Sequence, residues 1–239
     1  MSVMIGQASR GESGIAGQQA GNQTGRELNT VPWYDGGWTL LLRPRDRDVA
    51  ERMATACEAG VSNPRIGYDQ LQRNTLRYCA MAAGWDLAQI EEPCETDCSA
   101  FMAVCAEAAG VKMDSAYVAC NAPATFQMRQ RWMQTGAFDA LKDAAYLRSD
   151  RKLRRGDVLV NELTHTCMVL SDGPDAWPSS VIIVDGVEHP ISRILEAGRN
   201  YFQLRELAAI LGDGFPYTIS NIGNIAVLNR RKEKENETP

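Results

Sequence analysis

Apolar residues recur at helical spacing through the first half of the chain and at strand spacing through the second. In residues 46–59, DRDVAERMATACEA, Val49, Met53, Ala56 and Cys57 fall on one helical face, and Gly60 is a natural stop. A second helix is expected over residues 69–83, closed by Gly84. Asp97 stands just before CSAFMAVCAEAAG, a third helix with Phe101, Val104, Cys105 and Ala108 as its apolar face and Gly110 at its end. The periodicity weakens over residues 124–134, still read as a helix, and over residues 137–144, a further helical candidate.

The pattern changes at Leu153. RRGDVLVNEL and THTCMVLSDG are strand-like runs with a polar turn between them, which predicts an antiparallel pair. GPDAWPSS, with two prolines, predicts a linker. Beyond it, VIIVDGVEHPI predicts a hairpin turning at Asp185-Gly186, NYFQLRELAAILG a helix ending at Gly212, and YTISNIGNIAVLN one or two strands. RRKEKENETP is expected to be a solvated, disordered tail. Residues 1–31, rich in Gly, Gln, Asn, Ser and Thr, suggest an extended arm with a short strand at residues 3–5. Trp33, Tyr34 and Trp38 are expected to pack beneath that arm. No internal repeat is evident.

Composition narrows the class. At 239 residues, 44% hydrophobic and 23% charged, the chain suits an ordinary globular core, with or without a small second domain. A net charge of −5 weighs against a broad electrostatic grip on nucleic acid or anionic lipid. The start MSVMIGQASRGESG lacks the pattern of a signal peptide, and no apolar run approaches the length of a membrane span. These features predict a protein made in the cytoplasm, with no membrane insertion. Seven cysteines form an odd set without a Cys-x-x-Cys pair, and only two histidines accompany them. That argues against a disulfide framework, a zinc site or another metal cofactor, and for small buried thiols in a reduced, intracellular fold.

One cysteine is placed differently from the others. Cys98 opens a helix, where unpaired backbone N–H groups and the helix dipole favour a thiolate. An imidazole beside it would complete its activation and later protonate a leaving amine. His189 lies beyond the linker, so His165, in Thr164-His165-Thr166, is the base by elimination. The backbone N–H of Cys98 is a candidate oxyanion donor. Asp97 fits an N-cap better than a catalytic acid.

TDCSAFMAVCAEAAG, LRRGDVLV and THTCMVLSDG together resemble the NlpC-type cell-wall cysteine peptidases, papain-like enzymes that cut peptide bonds in peptidoglycan stems. IGQASRGESGIAGQQAGNQTGRELNTVPWY and IGYDQLQRNTL further resemble a branch found in phage endolysins of Gram-positive hosts. The resemblance implies Cys98 as nucleophile and His165 as base. Tyr68 takes the place of a tyrosine that faces the thiol in many relatives, although it stands farther from the cysteine here. Asp97, Ser99 and Gln23 are expected to line the site. Relatives carry a third polar residue on a return strand about a dozen positions after the histidine, where this chain has GPDAWP. The orienting group is therefore missing, or it comes from Asp172, Asp185 or the Asn22-Gln23 arm. Asp172 and Asp185 each precede a glycine and also fit simple turns.

VDGVEHPISRILEAGRNYFQLRELAAILGDGFPYTI is similar to the small domain first described at the N-terminus of copper amine oxidases. One histidine and no cysteine do not make a copper site. Wall binding and structural capping are both open roles for it. The expected architecture is α+β: a papain-like catalytic domain at residues 1–173, a small α+β module at 180–229 and a tail at 230–239. The expected reaction is hydrolysis of an amide in cell-wall stem peptides, after release to the wall. An N-acetylmuramoyl-L-alanine amidase with the same pair, and a non-catalytic wall-binding or phage structural protein, are the alternatives.

Overall fold

Asp46 starts the first helix because its carboxylate accepts the N–H of Asp48 at 2.8 Å and satisfies a donor that has no partner within the helix. This helix, α1 (Arg47–Ser62), runs past Gly60. A Cβ at Gly60 would lie 2.5 Å from the Phe101 ring, so this glycine is where α1 touches the next helix layer and not a stop. The computed structural model describes residues 2–9, 27–177, 179–184, 187–196, 199–212, 217–222 and 225–230. The chain divides into two units, Met1–Ala176 and Trp177–Pro239.

The first unit is built on a six-stranded sheet. Its strands are β1 (Met4–Ala8), β2 (Leu28–Pro32), β3 (Leu40–Pro44), β6 (Phe138–Leu141), β7 (Val158–Asn161) and β8 (His165–Val169), in the order β2-β1-β8-β7-β3-β6. All neighbours are antiparallel. A two-stranded parallel ribbon, β4 (Ile66–Tyr68) and β5 (Cys94–Thr96), lies outside that sheet. The helices are α2 (Thr75–Ala82), α3 (Cys98–Ala108), α4 (Thr125–Met133) and the short α5 (Ala144–Leu147). Leu40, Leu42, Val158, Val160 and Met168 join α1, α3 and α4 in one core, while Leu41, Leu159, Cys167 and Val169 join Ile5 and Trp38 in another. Strand alternation thus feeds two buried faces, as a sheet covered on both sides requires.

Several expected elements change. The short strand expected at residues 3–5 is β1, which is enclosed between β2 and β8, and residues 28–32 are a further strand, β2, paired with it; residues 10–26 lie outside the described residues. The helix expected over 69–83 begins only at Thr75, because Asp69 turns the chain by accepting the N–H of Leu71 at 2.7 Å. The candidate helix over 137–144 is strand β6, held to β3 by pairs from Leu41↔Leu141 to Pro44↔Phe138. Here a tertiary pairing overrides weak helical periodicity. The apolar stripe of α3 widens to burial on every side, from Cys98 through Glu107.

The Arg154-Arg155-Gly156-Asp157 run is a tight turn against α1. Gly156 has φ +90°, and a Cβ there would fall 2.4 Å from the carbonyl oxygen of Ala50. Buried Asp157 accepts the N–H of Arg154 at 2.8 Å and the Nε and Nη2 donors of Arg43 at 2.8 and 2.6 Å. The turn therefore fixes where β7 starts and, through it, where β8 returns.

The linker is shorter than its composition suggests. Gly173 and Asp175 donate backbone N–H groups to the carbonyls of Leu153 and Arg151 at 2.8 and 2.7 Å. Asp175 also holds the Arg151 guanidinium through two bonds of 2.6 and 2.9 Å. Residues 173–176 thus belong to the first unit.

The second unit contains β9 (Ser179–Val184), β10 (Val187–Glu196), β11 (Arg199–Phe202), α6 (Leu204–Leu211), β12 (Tyr217–Ile222) and β13 (Ile225–Arg230). Val184 pairs with Val187, so β9 and β10 form the expected hairpin, although Asp185 and Gly186 lie outside the described residues. Residues 200–202, expected to open a helix, belong to strand β11, which pairs with β10. Glu206 on α6 accepts the N–H and hydroxyl of Ser192 at 2.6 and 3.0 Å, which ties the helix to β10. The tail from residue 231 also lies outside the described residues. Among the described residues no helix is long and apolar enough to cross a membrane.

Candidate active site

Cys98 is the first residue of α3 and is nearly buried. Its N-cap, Asp97, accepts the N–H of Ala100 at 2.7 Å and the Ser99 hydroxyl at 3.0 Å. The other carboxylate oxygen of Asp97 pairs with Nε of Arg73 at 2.7 Å, and Arg73 also donates to the Ser99 hydroxyl at 2.7 Å. Asp97, Ser99 and Arg73 therefore form one polar clamp around the helix start.

The thiol receives backbone N–H groups from Ser99 and Thr166, which lower its pKa, as does the nearby Arg73. These do not prevail. Burial, followed by the Asp97 carboxylate, pushes Cys98 up to about 12, so the resting sulfur is a neutral thiol. The N–H of the helix start acts in the expected direction, and burial outweighs it.

Thr166 follows His165, so the strand that caps the sulfur also carries the imidazole. His165 is half-buried, and burial lowers its pKa below 6.5, opposed by Asp97. Its Nε2 lies 2.8 Å from Oε1 of Gln7. A carbonyl oxygen only accepts, so Nε2 carries the ring proton and Nδ1 is left as the basic nitrogen. The Tyr34 hydroxyl donates to the same Oε1 at 3.1 Å, and Gln7 Nε2 donates to Asn29 Oδ1 at 3.1 Å. Gln7 and Asn29 are register partners on β1 and β2, so the contacts of the imidazole extend across two adjacent strands.

Trp38 lies under the imidazole, with ring centroids 6.2 Å apart, and its indole N–H donates to the carbonyl of Tyr34 at 2.9 Å. Of the aromatic cluster expected to pack beneath an arm, Trp38 is indeed buried, whereas Tyr34 is 38% exposed and belongs to the site. Tyr68 is near the thiol: burial and then the proximity of Cys98 push its phenol up to about 12. The Tyr68 hydroxyl accepts from Gln70 at 3.1 Å, and its backbone N–H donates to the buried carboxylate of Glu27 at 2.7 Å.

Residues 5–176 match the family model of the endolysin-like domain. The chain belongs to the endolysin-like domain family. No curated protein and no solved structure matches it. An endolysin-like protein acts on the bacterial cell wall, and peptidoglycan is the substrate class that fits it.

The endolysin-like domain brings Cys98, Asp97, Ser99 and Tyr68 around one helix start, with His165 on the strand that caps the thiol. Gln23 lies outside the described residues, as do Asn22 and Asp185. Asp172 is engaged elsewhere: it accepts from Arg155 N–H at 2.7 Å and from Arg47 at 3.4 Å. The partner of His165 is Gln7, which the sequence reading missed together with Asn29, Tyr34 and Arg73. The signal was available. Val3, Ile5 and Gln7 alternate along one strand face, and an amide in the third of those positions is a buried polar group that must find a partner. Among the described residues, no group of three or more His, Cys, Asp or Glu side chains is placed to hold a metal ion.

Proposed function

We propose that this protein is a peptidoglycan hydrolase with a papain-like, NlpC-type site, which cleaves an amide in wall stem peptides through a thioester on Cys98. The observation that supports this most is the 2.8 Å contact between His165 Nε2 and Gln7 Oε1, beside a thiol held at a helix start by the N–H of Thr166. It leaves Nδ1 of His165 as a base on the strand that caps the sulfur.

In this mechanism His165 takes the Cys98 proton as the sulfur attacks the amide carbon. The neutral resting thiol makes this a transfer during attack and not a preformed ion pair. The imidazolium then protonates the leaving nitrogen, the C–N bond breaks, and a thioester remains. Water, deprotonated by His165, attacks the thioester and releases the acid and the thiol. The backbone N–H of Cys98 is the proposed donor to the tetrahedral oxyanion. Gln7 keeps the imidazole in the tautomer and plane that both transfers need.

Mass spectrometry of purified walls digested by the full chain tests this reading. New amine and carboxyl termini within the stem peptide, absent with Cys98→Ala, are the expected result. Release of intact stem peptides from muramic acid would place the cut at the sugar–peptide amide instead. Unchanged walls would refute the hydrolase.

We also read residues 180–229 as a wall-binding module similar to the small copper amine oxidase-like domain. Removing them should weaken pelleting with intact walls while leaving turnover of a soluble stem peptide unchanged, because tethering acts through effective concentration. Unchanged pelleting would refute the binding role.

A further inference from the structure

The buried face of α4 carries Met128 and Trp132, which join the main core. Phe126, Arg129, Gln130 and Met133, spaced three, four and seven apart, form a different face of the same helix. They line a groove of about 450 Å³ whose remaining wall is Glu162, in the turn between β7 and β8. That volume lies within the range of small-molecule sites. The Phe126 ring is 69% exposed. Among the described residues, Arg129 and Gln130 make no hydrogen bond or ion pair and are exposed, so their donors and acceptor are free for a ligand.

The turn that carries Glu162 is held by hydrogen bonds. The Asn161 side chain accepts the N–H of Leu163 at 3.1 Å and donates to the carbonyl of Gly36 at 3.1 Å. Glu162 accepts from the Thr39 hydroxyl at 3.2 Å and donates its N–H to the same oxygen at 3.2 Å. His165 follows Glu162 by three residues, and Thr39 follows Trp38, which lies under the imidazole. On the other side, Asn74 accepts the N–H of Ala122 at 3.0 Å, so the chain entering α4 is anchored next to Arg73 of the nucleophile clamp. The two segments that carry the groove are thus tied to the segments that carry His165 and Arg73.

An open aromatic face, ringed by a guanidinium, an amide and a carboxylate, matches the chemistry of an N-acetylated sugar. The C–H face of the ring and its acetyl methyl suit the phenyl group, and the hydroxyls and acetamide suit the three polar heads. We propose that this groove binds the glycan strand of the wall polymer, next to the stem peptide that Cys98 attacks. The inference rests on the peptidoglycan reading above, and it assigns to the endolysin-like domain a sugar subsite of its own.

The test uses the full chain and a peptide-free tetrasaccharide of alternating N-acetylglucosamine and N-acetylmuramic acid. In an NMR titration the Met133 methyl and Phe126 ring signals should move, and neither Phe126→Ala nor Arg129→Ala should retain the effect at full strength. Absence of any shift there, or shifts only elsewhere, overturns the proposal, whether or not the protein cuts walls. Kinetics give a second reading. Phe126→Ala should raise KM about tenfold for a disaccharide-bearing stem peptide, a typical loss for one aromatic contact, and leave a sugar-free peptide unchanged. An equal effect on both substrates, or none on either, refutes the subsite. A wild-type protein that cuts neither substrate refutes the hydrolase reading instead, and the titration still decides the groove. Both side chains are exposed, so melting temperatures should match the wild type.

Discussion

The two halves of the candidate site are built in opposite ways. The nucleophile half is largely local: Asp97 caps the helix, Cys98 opens it and Ser99 closes the clamp, with Arg73 and the N–H of Thr166 added from elsewhere in the chain. The base half is assembled from afar. His165 is held by Gln7 across a sequence separation of 158 residues, Gln7 by Asn29 and Tyr34, and the imidazole rests over Trp38. A helix cap is a short-range chemical pattern, whereas strand adjacency depends on which edge a segment finds. The base half should therefore be sensitive to changes in sheet packing that leave the nucleophile half untouched.

The largest effect tests the nucleophile half. Cys98→Ala should abolish wall lysis, by at least a thousandfold as expected for loss of a covalent nucleophile. Its melting temperature should stay level, since the thiol is buried and neutral. Lysis of purified walls above a few percent of wild type would remove Cys98 from the mechanism. On the base half, Gln7→Ala should cost roughly ten- to a hundredfold in turnover, the usual range for removing an orienting partner. The sign of its pH dependence is specific. Burial holds the His165 pKa below 6.5, so the neutral base persists through pH 7 and activity should fall only below pH 6.5. Gln7→Glu places a carboxylate against Nε2, favours the imidazolium and should move that acid limb to higher pH. An unshifted limb would mean that Gln7 does not contact the working imidazole.

The same contrast explains how much was legible beforehand. The Asp-Cys-Ser start and the pairing of β7 with β8 rest on neighbours in sequence, and both are present in the fold, although the Arg-Gly-Asp run read as strand is a turn before Val158. The expected strand at residues 3–5 is present, but its place inside the sheet was not legible, because β1 pairs with β8 at the other end of the domain, and β2 was missed because its partner is β1 itself. The third polar residue was sought at Asp172, Asp185 or the Asn22-Gln23 arm, because the return strand of relatives is replaced here by GPDAWP. That edge of β8 is occupied by β1, which comes from the start of the chain. Gly6 makes the dependence testable. A Cβ there would lie 2.6 Å from Cys57 Sγ on α1 and 3.1 Å from Leu170, so Gly6→Ala requires β1 or these buried side chains to shift. Overpacking of this kind should cost about 1–3 kcal/mol in stability. It should also reduce turnover through the displaced Gln7, while Cys98 alkylation stays at the wild-type rate. Equal changes in both readouts would mean that the two halves are not separable.

The smallest effect returns to the nucleophile half. Asparagine is as good an N-cap as aspartate, so Asp97→Asn keeps the bond to the Ala100 N–H and should leave the melting temperature close to wild type. What it removes is charge. The Asp97 carboxylate is the second cause, after burial, that raises the Cys98 pKa, and it is also the group that raises that of His165. Both pKa values should therefore fall, and the fraction of thiolate at a given pH should rise. Iodoacetamide should modify Cys98 a few times faster in the variant across pH 7 to 9, which mass spectrometry of the labelled peptide measures directly. Wall lysis should drop modestly over the same range, because Arg73 and Ser99 lose the carboxylate that orders them. A slower alkylation rate would show that Asp97 acts on the thiol through geometry and not through its charge.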